Sequence, residues 1–260
     1  MIAPPTGLGP HRPLRVHVIG NSAAVMVEPE HGPRDGGVYG EQLVGLLAAR
    51  GTPCVVTCSG TWMSRINEHL PRYEGDVRNH FPDVLVINFG MLEAQPAVVP
   101  LALARHILTW RRTSRVGAGR YRTHVVPPLW RQLRRYQRWA SGHDGGRTHR
   151  LSPRRFAADL HRLIDMTRKD CGSLVLVLDI DPPGDRVEHW LPTTAARVEQ
   201  YNAVLDAVTS SYDDHVRFVR AGATVTDPDA DLPDGLHRSV AAHGVTAALL
   251  ADEICRWLGA

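Results

Sequence analysis

Residues 173–180 read SLVLVLDI, a run in which successive side chains, alternating above and below an extended strand, are apolar on both sides. Such a run is the pattern of a strand in a parallel sheet covered by helices on both faces. Four more segments have strand character, Leu14–Ile19, Pro53–Thr57, Val84–Asn88 and His215–Val219. Between them lie segments with helical apolar spacing: Tyr39–Arg50, stopped by Gly51, then Thr61–Tyr73 as a helix or loop-helix, Arg154–Arg168, Thr193–Ser211 and Val240–Leu258. Strand and helix alternate five times, which predicts a three-layer α/β/α architecture around a doubly wound, mainly parallel five-stranded sheet with right-handed crossovers. There is no internal repeat, and 260 residues suit one sizeable domain spanning 1–260.

Composition narrows the class. A chain that is 43% hydrophobic and 22% charged is ordinary for a globular protein, and no run approaches the ~20 apolar residues of a membrane span. The opening residues, MIAPPTGLGPHRP, lack the apolar stretch of a secretory signal, so a cytoplasmic protein is expected. Cys54, Cys58, Cys171 and Cys255 are scattered without metal-ligand spacing and read as buried thiols. The fourteen histidines contain no HExxH-type pattern, and no metal or cofactor is expected.

The chemistry is suggested by strand ends. Val16–Val25, VHVIGNSAAV, reads as a strand, a tight turn and a helix start, which puts the Ser22 hydroxyl at the C-terminal edge of the sheet, where ligands sit in open α/β folds. A serine becomes a nucleophile only when a base takes its proton and an acceptor orients that base. Asp234-Gly235-Leu236-His237, before the last helix, offers both: the carboxylate can accept from Nδ1–H and leave Nε2 to face Ser22. Taken singly, each piece has a plainer reading, the Gly-Asn-Ser turn as a helix cap and Asp234 as an N-cap. Ser59-Gly60-Thr61 and Gly90–Glu93 close two other strands at the same edge.

In this order and placement the segments resemble the SGNH hydrolases, the GDSL-type serine esterases and lipases. The first block matches as Gly20-Asn21-Ser22, with Asn where the family has Asp; the second as Ser59-Gly60-Thr61; the last as Asp234–His237, with His243 and Gly244 at a spacing common in the family. The resemblance covers Leu14 to Leu258 apart from an insertion. It implies the flavodoxin-like SGNH fold, a catalytic set of Ser22, Asp234 and His237 with no cofactor, and an oxyanion hole from the Ser22 and Gly60 N–H groups. The third block departs from the family: Gly90-Met91-Leu92-Glu93 puts Leu92 where the family has an Asn that donates to the oxyanion, and losing such a donor typically costs ~10²–10³ in rate. Asn21 and Asn88 are the candidates to replace it, and Glu93 reads as a supporting group or a loop carboxylate. The resemblance implies an acyl-serine ester hydrolase acting on a small-molecule ester or thioester, with acyl transfer through the same site and a catalytically weak binding scaffold as alternatives.

The insertion, at about 96–153, carries no strand signal. Its helical pieces are Val99–Thr109 and Leu129–Ala140, and a segment of this kind is expected to act as a lid. Between Arg105 and Arg155 stand fourteen arginines against one acid, Asp144, interleaved with Trp110, Tyr121, Trp130, Tyr136 and Trp139. Three readings are open: a solvated helix with Trp130, Leu133 and Gln137 as its buried stripe, a nucleic-acid surface, ranked last because the charge is confined to this segment, or recognition of an anionic acyl donor. Under the third, Arg131, Arg134 and Arg135 bind substrate, and coenzyme A thioesters, an acidic carrier protein or carboxylated or phosphorylated small molecules are the partners that fit.

Overall fold

The structure, a computed structural model, describes residues 12–25, 37–97, 99–105, 124, 126–143 and 149–259. The leader, the loop read from Glu28 to Gly37 except its last residue, the end of the helix read as Val99–Thr109, and Trp110, Tyr121 and Asp144 lie outside the described residues.

Five strands, β1 (Leu14–Gly20), β2 (Cys54–Cys58), β3 (Val84–Asn88), β4 (Leu174–Leu178) and β5 (Val216–Val219), form one sheet in the order β2-β1-β3-β4-β5. Every neighbouring pair is parallel, so the expected doubly wound sheet is borne out. The helices are α1 (Ser22–Val25), α2 (Tyr39–Ala49), α3 (Ile66–His69), α4 (Tyr73–Asp76), α5 (Met91–Ala94), α6 (Val126–His143), α7 (Pro153–Cys171), α8 (Asp185–Trp190), α9 (Thr194–Thr209), α10 (Pro228–Asp231) and α11 (Val240–Leu258).

The two-residue period of the strands sorts the core into two layers. Leu85, Ile87, Val175 and Val177 point to one face and pack with Phe156, Leu160 and Leu163 of α7 and Tyr201 and Leu205 of α9. Val84, Val86, Leu174 and Leu176 point to the other and meet Leu43 and Leu47 of α2 and Leu250 and Ile254 of α11. All twelve of the residues just named on β3, β4, α2 and α11 are at most 1% exposed, so each large side chain there contributes about 1.5–3 kcal/mol of burial. The helices on these faces have punctuated ends: Ser152 caps α7 by accepting from the Arg155 N–H at 3.3 Å, and Gly172 ends it in the left-handed conformation.

Two expectations need correction. Thr61–Tyr73 is no single helix but a series of short turns, α3, a 3₁₀ turn at Leu70–Arg72 and α4, because Pro71 has no N–H to continue the ladder. The thiols are not buried: Cys58 is exposed and the other three are half-buried, since β2 is an edge strand and leaves Cys54 and Cys58 beside solvent. Helix α8 was not foreseen, being too short for periodicity to reveal.

This topology positions the site. Strand order reverses at β1, so the chain leaves β1 and β3 toward opposite faces and a crevice opens between their C-terminal ends. Gly20 pairs with Asn88 there, and a Cβ on Gly20 would lie 2.6 Å from the Asn88 carbonyl oxygen. Glycine alone lets the two ends come together before the chain turns into α1.

Candidate active site

Ser22 is the first residue of α1, so its backbone N–H has no preceding helical turn to donate to. Asn21 shapes the turn: its Oδ1 accepts from the Ala23 N–H at 3.0 Å and its main-chain carbonyl from the Ala24 N–H at 3.1 Å. The amide thus serves as the cap that the sequence expected.

The second half of the site arrives on the loop before α11. Gly235 turns it at φ +84°, and a Cβ there would stand 2.8 Å from Val187 Cγ2, so α8 holds this turn in place. Asp234 Oδ1 accepts from the backbone N–H groups of Leu236 at 2.9 Å and His237 at 2.7 Å, and its Oδ2 lies 2.6 Å from His237 Nδ1. Burial alone would push the Asp234 carboxyl up, but the His237 ring and the two N–H groups outweigh it and hold the group below the usual carboxylate range. An ionised carboxylate only accepts, so Nδ1 carries the ring proton and Nε2 presents its lone pair. That nitrogen is 2.9 Å from Ser22 Oγ, across 215 positions of sequence. The structure therefore brings Ser22, His237 and Asp234 into one row.

The other expected residues part company. Gly60 does not line the cleft in front of Ser22; its N–H is directed at Cys58 Sγ, 3.3 Å away, because the turn after β2 folds back on its own thiol. Asn88 Nδ2 donates to the Tyr39 hydroxyl at 3.3 Å and faces a separate small cavity, whereas Asn21 lines the cleft. Leu92 also lines it, and brings no donor. Glu93 is no exposed loop carboxylate: it is fully buried, accepting from the Ile66 N–H at 2.8 Å and the Gly90 N–H at 3.0 Å, and burial pushes its carboxyl up to about 7. It stitches the loop after β2 to the loop after β3.

The cleft in front of Ser22 holds about 550 Å³ and is walled by Trp62, Met63, Met91, Leu92, Trp130 and Trp190. Of the three arginines expected to bind substrate, only Arg134 reaches it; Arg131 and Arg135 are exposed on the outer side of α6. The helical period explains this, since Arg134 shares a face with Trp130 and Gln137 while its neighbours point away. The Arg134 guanidinium lies 5.4 Å from the Trp130 ring centre and 5.7 Å from that of Trp190. Arg150 and Arg186 line the cleft as well, and sequence reasoning missed both as site residues, because each sits in a turn or short helix whose direction only the tertiary fold sets. Among the described residues no three His, Cys, Asp or Glu side chains converge as a metal would require, and no helix is long and apolar enough to cross a membrane.

No family model and no curated protein matches the chain. Solved structures do. A lipase/acylhydrolase from Enterococcus faecalis is 16% identical, with 93% of this chain aligned to 95% of that one at a TM-score of 0.61. The acetylxylan esterase Axe2 from Geobacillus stearothermophilus is 19% identical over 93% and 94% of the two chains, at a TM-score of 0.60. LAE5, an alpha/beta hydrolase from the metagenome of Lake Arreo, Spain, is 15% identical over 92% and 94%, at 0.59. At these identities the likeness speaks for the fold, and this chain shares, over nearly its whole length, the α/β fold of acylhydrolases and esterases.

Proposed function

We propose that the protein is an SGNH-type serine hydrolase that cleaves a small-molecule ester through an acyl-Ser22 intermediate. The observation that carries this reading is the row at the mouth of the cleft: Ser22 Oγ 2.9 Å from His237 Nε2, whose other nitrogen is 2.6 Å from the Asp234 carboxylate. His237 Nε2 takes the hydroxyl proton as Ser22 Oγ attacks the ester carbonyl, and Asp234 stabilises the imidazolium that forms. The tetrahedral oxyanion is held by the Ser22 N–H and by Asn21 Nδ2; the Ala23 N–H occupies Oδ1, which orients the amide and leaves its NH₂ as the donor that Leu92 lacks. Collapse expels the alcohol with the proton from His237. Water, deprotonated by the same nitrogen, then attacks the acyl-Ser22 carbonyl, and collapse breaks the bond to Ser22 Oγ, which takes the proton back from His237 as the acid leaves. Helix α6, with Trp130 and Arg134 on the cleft wall, is the described part of a lid over the site, and an acceptor alcohol reaching the acyl ester in place of water would make the same chemistry acyl transfer.

A fluorophosphonate probe tests the reading. It labels the wild-type protein and not Ser22→Ala, and p-nitrophenyl acetate and butyrate are hydrolysed by the first alone. The direction of the Gly60 N–H toward Cys58 and the presence of Leu92 favour a second reading, a scaffold that binds without turnover, for which neither labelling nor a serine-dependent rate is seen.

A further inference from the structure

The cleft wall away from Ser22 has a charge that the ester-cleaving groups do not use. Among the described residues Arg134, Arg150 and Arg186 line it, and the one carboxylate that does, Asp234, is already engaged by His237. Arg150 is the unusual member. Its Nη1 donates to the Val99 carbonyl at 3.2 Å, its Nε is buried with no hydrogen-bond partner, and no carboxylate pairs with it among the described residues. Glu68, beside the Arg65 that donates to the Arg150 carbonyl, is already shared by Arg65 at 2.9 Å and Arg105 at 2.6 Å. Burial, with Arg65 and Arg105 close by, lowers the Arg150 group to about 10, still charged at neutral pH. A half-buried guanidinium that lines the cleft with one main-chain acceptor and no carboxylate among the described residues is costly to hold charged unless an anion meets it.

We propose that this wall is an anion subsite, and that the substrate is an ester bearing a carboxylate or phosphate group, which Arg150 and Arg134 hold by charge-assisted hydrogen bonds. The proposal rests on the hydrolase reading, and it goes beyond it by naming the charge of the substrate. An arginine fork suits either oxyanion, and both leave the ester carbonyl free to reach Ser22.

The test compares the mono-p-nitrophenyl ester of glutaric acid with p-nitrophenyl pentanoate, alike in length and different in charge. The wild-type protein prefers the anionic ester in kcat/KM by about tenfold or more, a preference that Arg150→Met lowers at least tenfold and Arg150→Lys partly restores, as expected for one charge-assisted hydrogen bond. A fall of equal size on both esters would make Arg150 only a brace for the Val99 loop and overturn the proposal, as would a wild-type protein with no preference. Arg134→Gln, on a helix surface, supplies the same comparison if the Arg150 variants do not fold. Calorimetric titration of Ser22→Ala with glutarate and with inorganic phosphate separates the two oxyanions and does not depend on turnover: at least one binds, and adding Arg150→Met weakens it about tenfold or more. If neither ester is cleaved, the hydrolase reading fails while binding still decides the subsite. No binding of either anion, or binding indifferent to Arg150, removes it.

Discussion

Two rows of Ser, His and Asp run through this molecule, and side by side they have almost the same hydrogen-bond lengths. In the first, Ser22 Oγ is 2.9 Å from His237 Nε2 and His237 Nδ1 is 2.6 Å from Asp234. In the second, Ser64 Oγ is 3.0 Å from His69 Nε2 and His69 Nδ1 is 2.7 Å from Asp76. The second row is sealed: Ser64 and His69 are 2% and 1% exposed, and the Ser64 hydroxyl is 2.8 Å from the Thr61 carbonyl, which competes with the imidazole for its proton. His17 continues the network, meeting the Thr57 hydroxyl at 2.7 Å and the Asp76 carbonyl at 2.6 Å, and burial lowers its ring to about 4, keeping it neutral. This row ties β1, β2 and α4 together beneath the turn that carries Ser22. The comparison teaches that a relay of the right lengths is common currency for a folded chain. What separates a candidate nucleophile from a structural hydroxyl is a proton without a rival acceptor among the described residues and about 550 Å³ of space in front of it.

The sharpest way to break this contrast is to delete each hydroxyl. Under the proposed function, Ser22→Ala lowers hydrolysis of p-nitrophenyl butyrate by a factor on the order of 10⁶, while Ser64→Ala keeps fluorophosphonate labelling. Labelling lost from the Ser64 variant and kept in the Ser22 variant would exchange the two roles. The orienting carboxylates come next. Asp234→Asn reverses which ring nitrogen holds the proton and lowers kcat by a factor on the order of 10⁴. Asp76→Asn, whose partner His69 is sealed from solvent, acts on the denaturation midpoint, which a urea titration of both variants reads alongside the rates.

How much of this was legible in the sequence differs between the two rows. SLVLVLDI and its sister strands announced the sheet, because a strand buried on both faces has no alternative environment. The first row was legible because the fold delivers strand ends to one edge, so Ser22 and the Asp234–His237 turn could be brought together across the chain from order alone. Ser64, His69 and Asp76 gave no signal: they lie in short turns without periodicity, and only the break at Pro71 and packing under β1 aim them at one another. Arg150 and Arg186 were hidden for the same reason, whereas Arg131 and Arg135 were misplaced by composition, which counts charges without assigning them to a face. Glu93 stayed open between a supporting group and a loop carboxylate because its two backbone partners, Ile66 and Gly90, belong to loops that meet only in the folded molecule.

Stability reverses the ranking that activity gives. His69→Ala opens a cavity in a sealed site and strands Ser64 and Asp76, which costs about 3 kcal/mol. His237→Ala, at the mouth of a cleft where water replaces the ring, costs less than about 1 kcal/mol while abolishing the serine-dependent rate. Urea denaturation of the two variants with activity measured on the same samples checks both halves. A His237 variant as unstable as the His69 variant would mean that the open row, too, is chiefly a brace.

Glu93 links the two rows, since it accepts from Ile66, where the helix bearing His69 begins, and from Gly90 on the loop that walls the cleft. Its carboxyl is raised by burial to about 7 from an ordinary value of 4.5, so the folded protein holds that proton more tightly than the unfolded chain between those two values. Stability from this group is therefore fully present below about pH 4.5 and is lost as the pH rises through 7. Glu93→Gln cannot titrate. Its amide leaves one of the two N–H groups facing a donor, a cost that is the same at every pH, so the variant is less stable than wild type by an amount that narrows as the pH is raised. Urea midpoints for both proteins at pH 5.0 and pH 7.5 measure the narrowing. A gap that widens instead would show that the two N–H bonds outweigh burial and that the carboxylate is held ionised, which would make the stitch between the rows an ionic one.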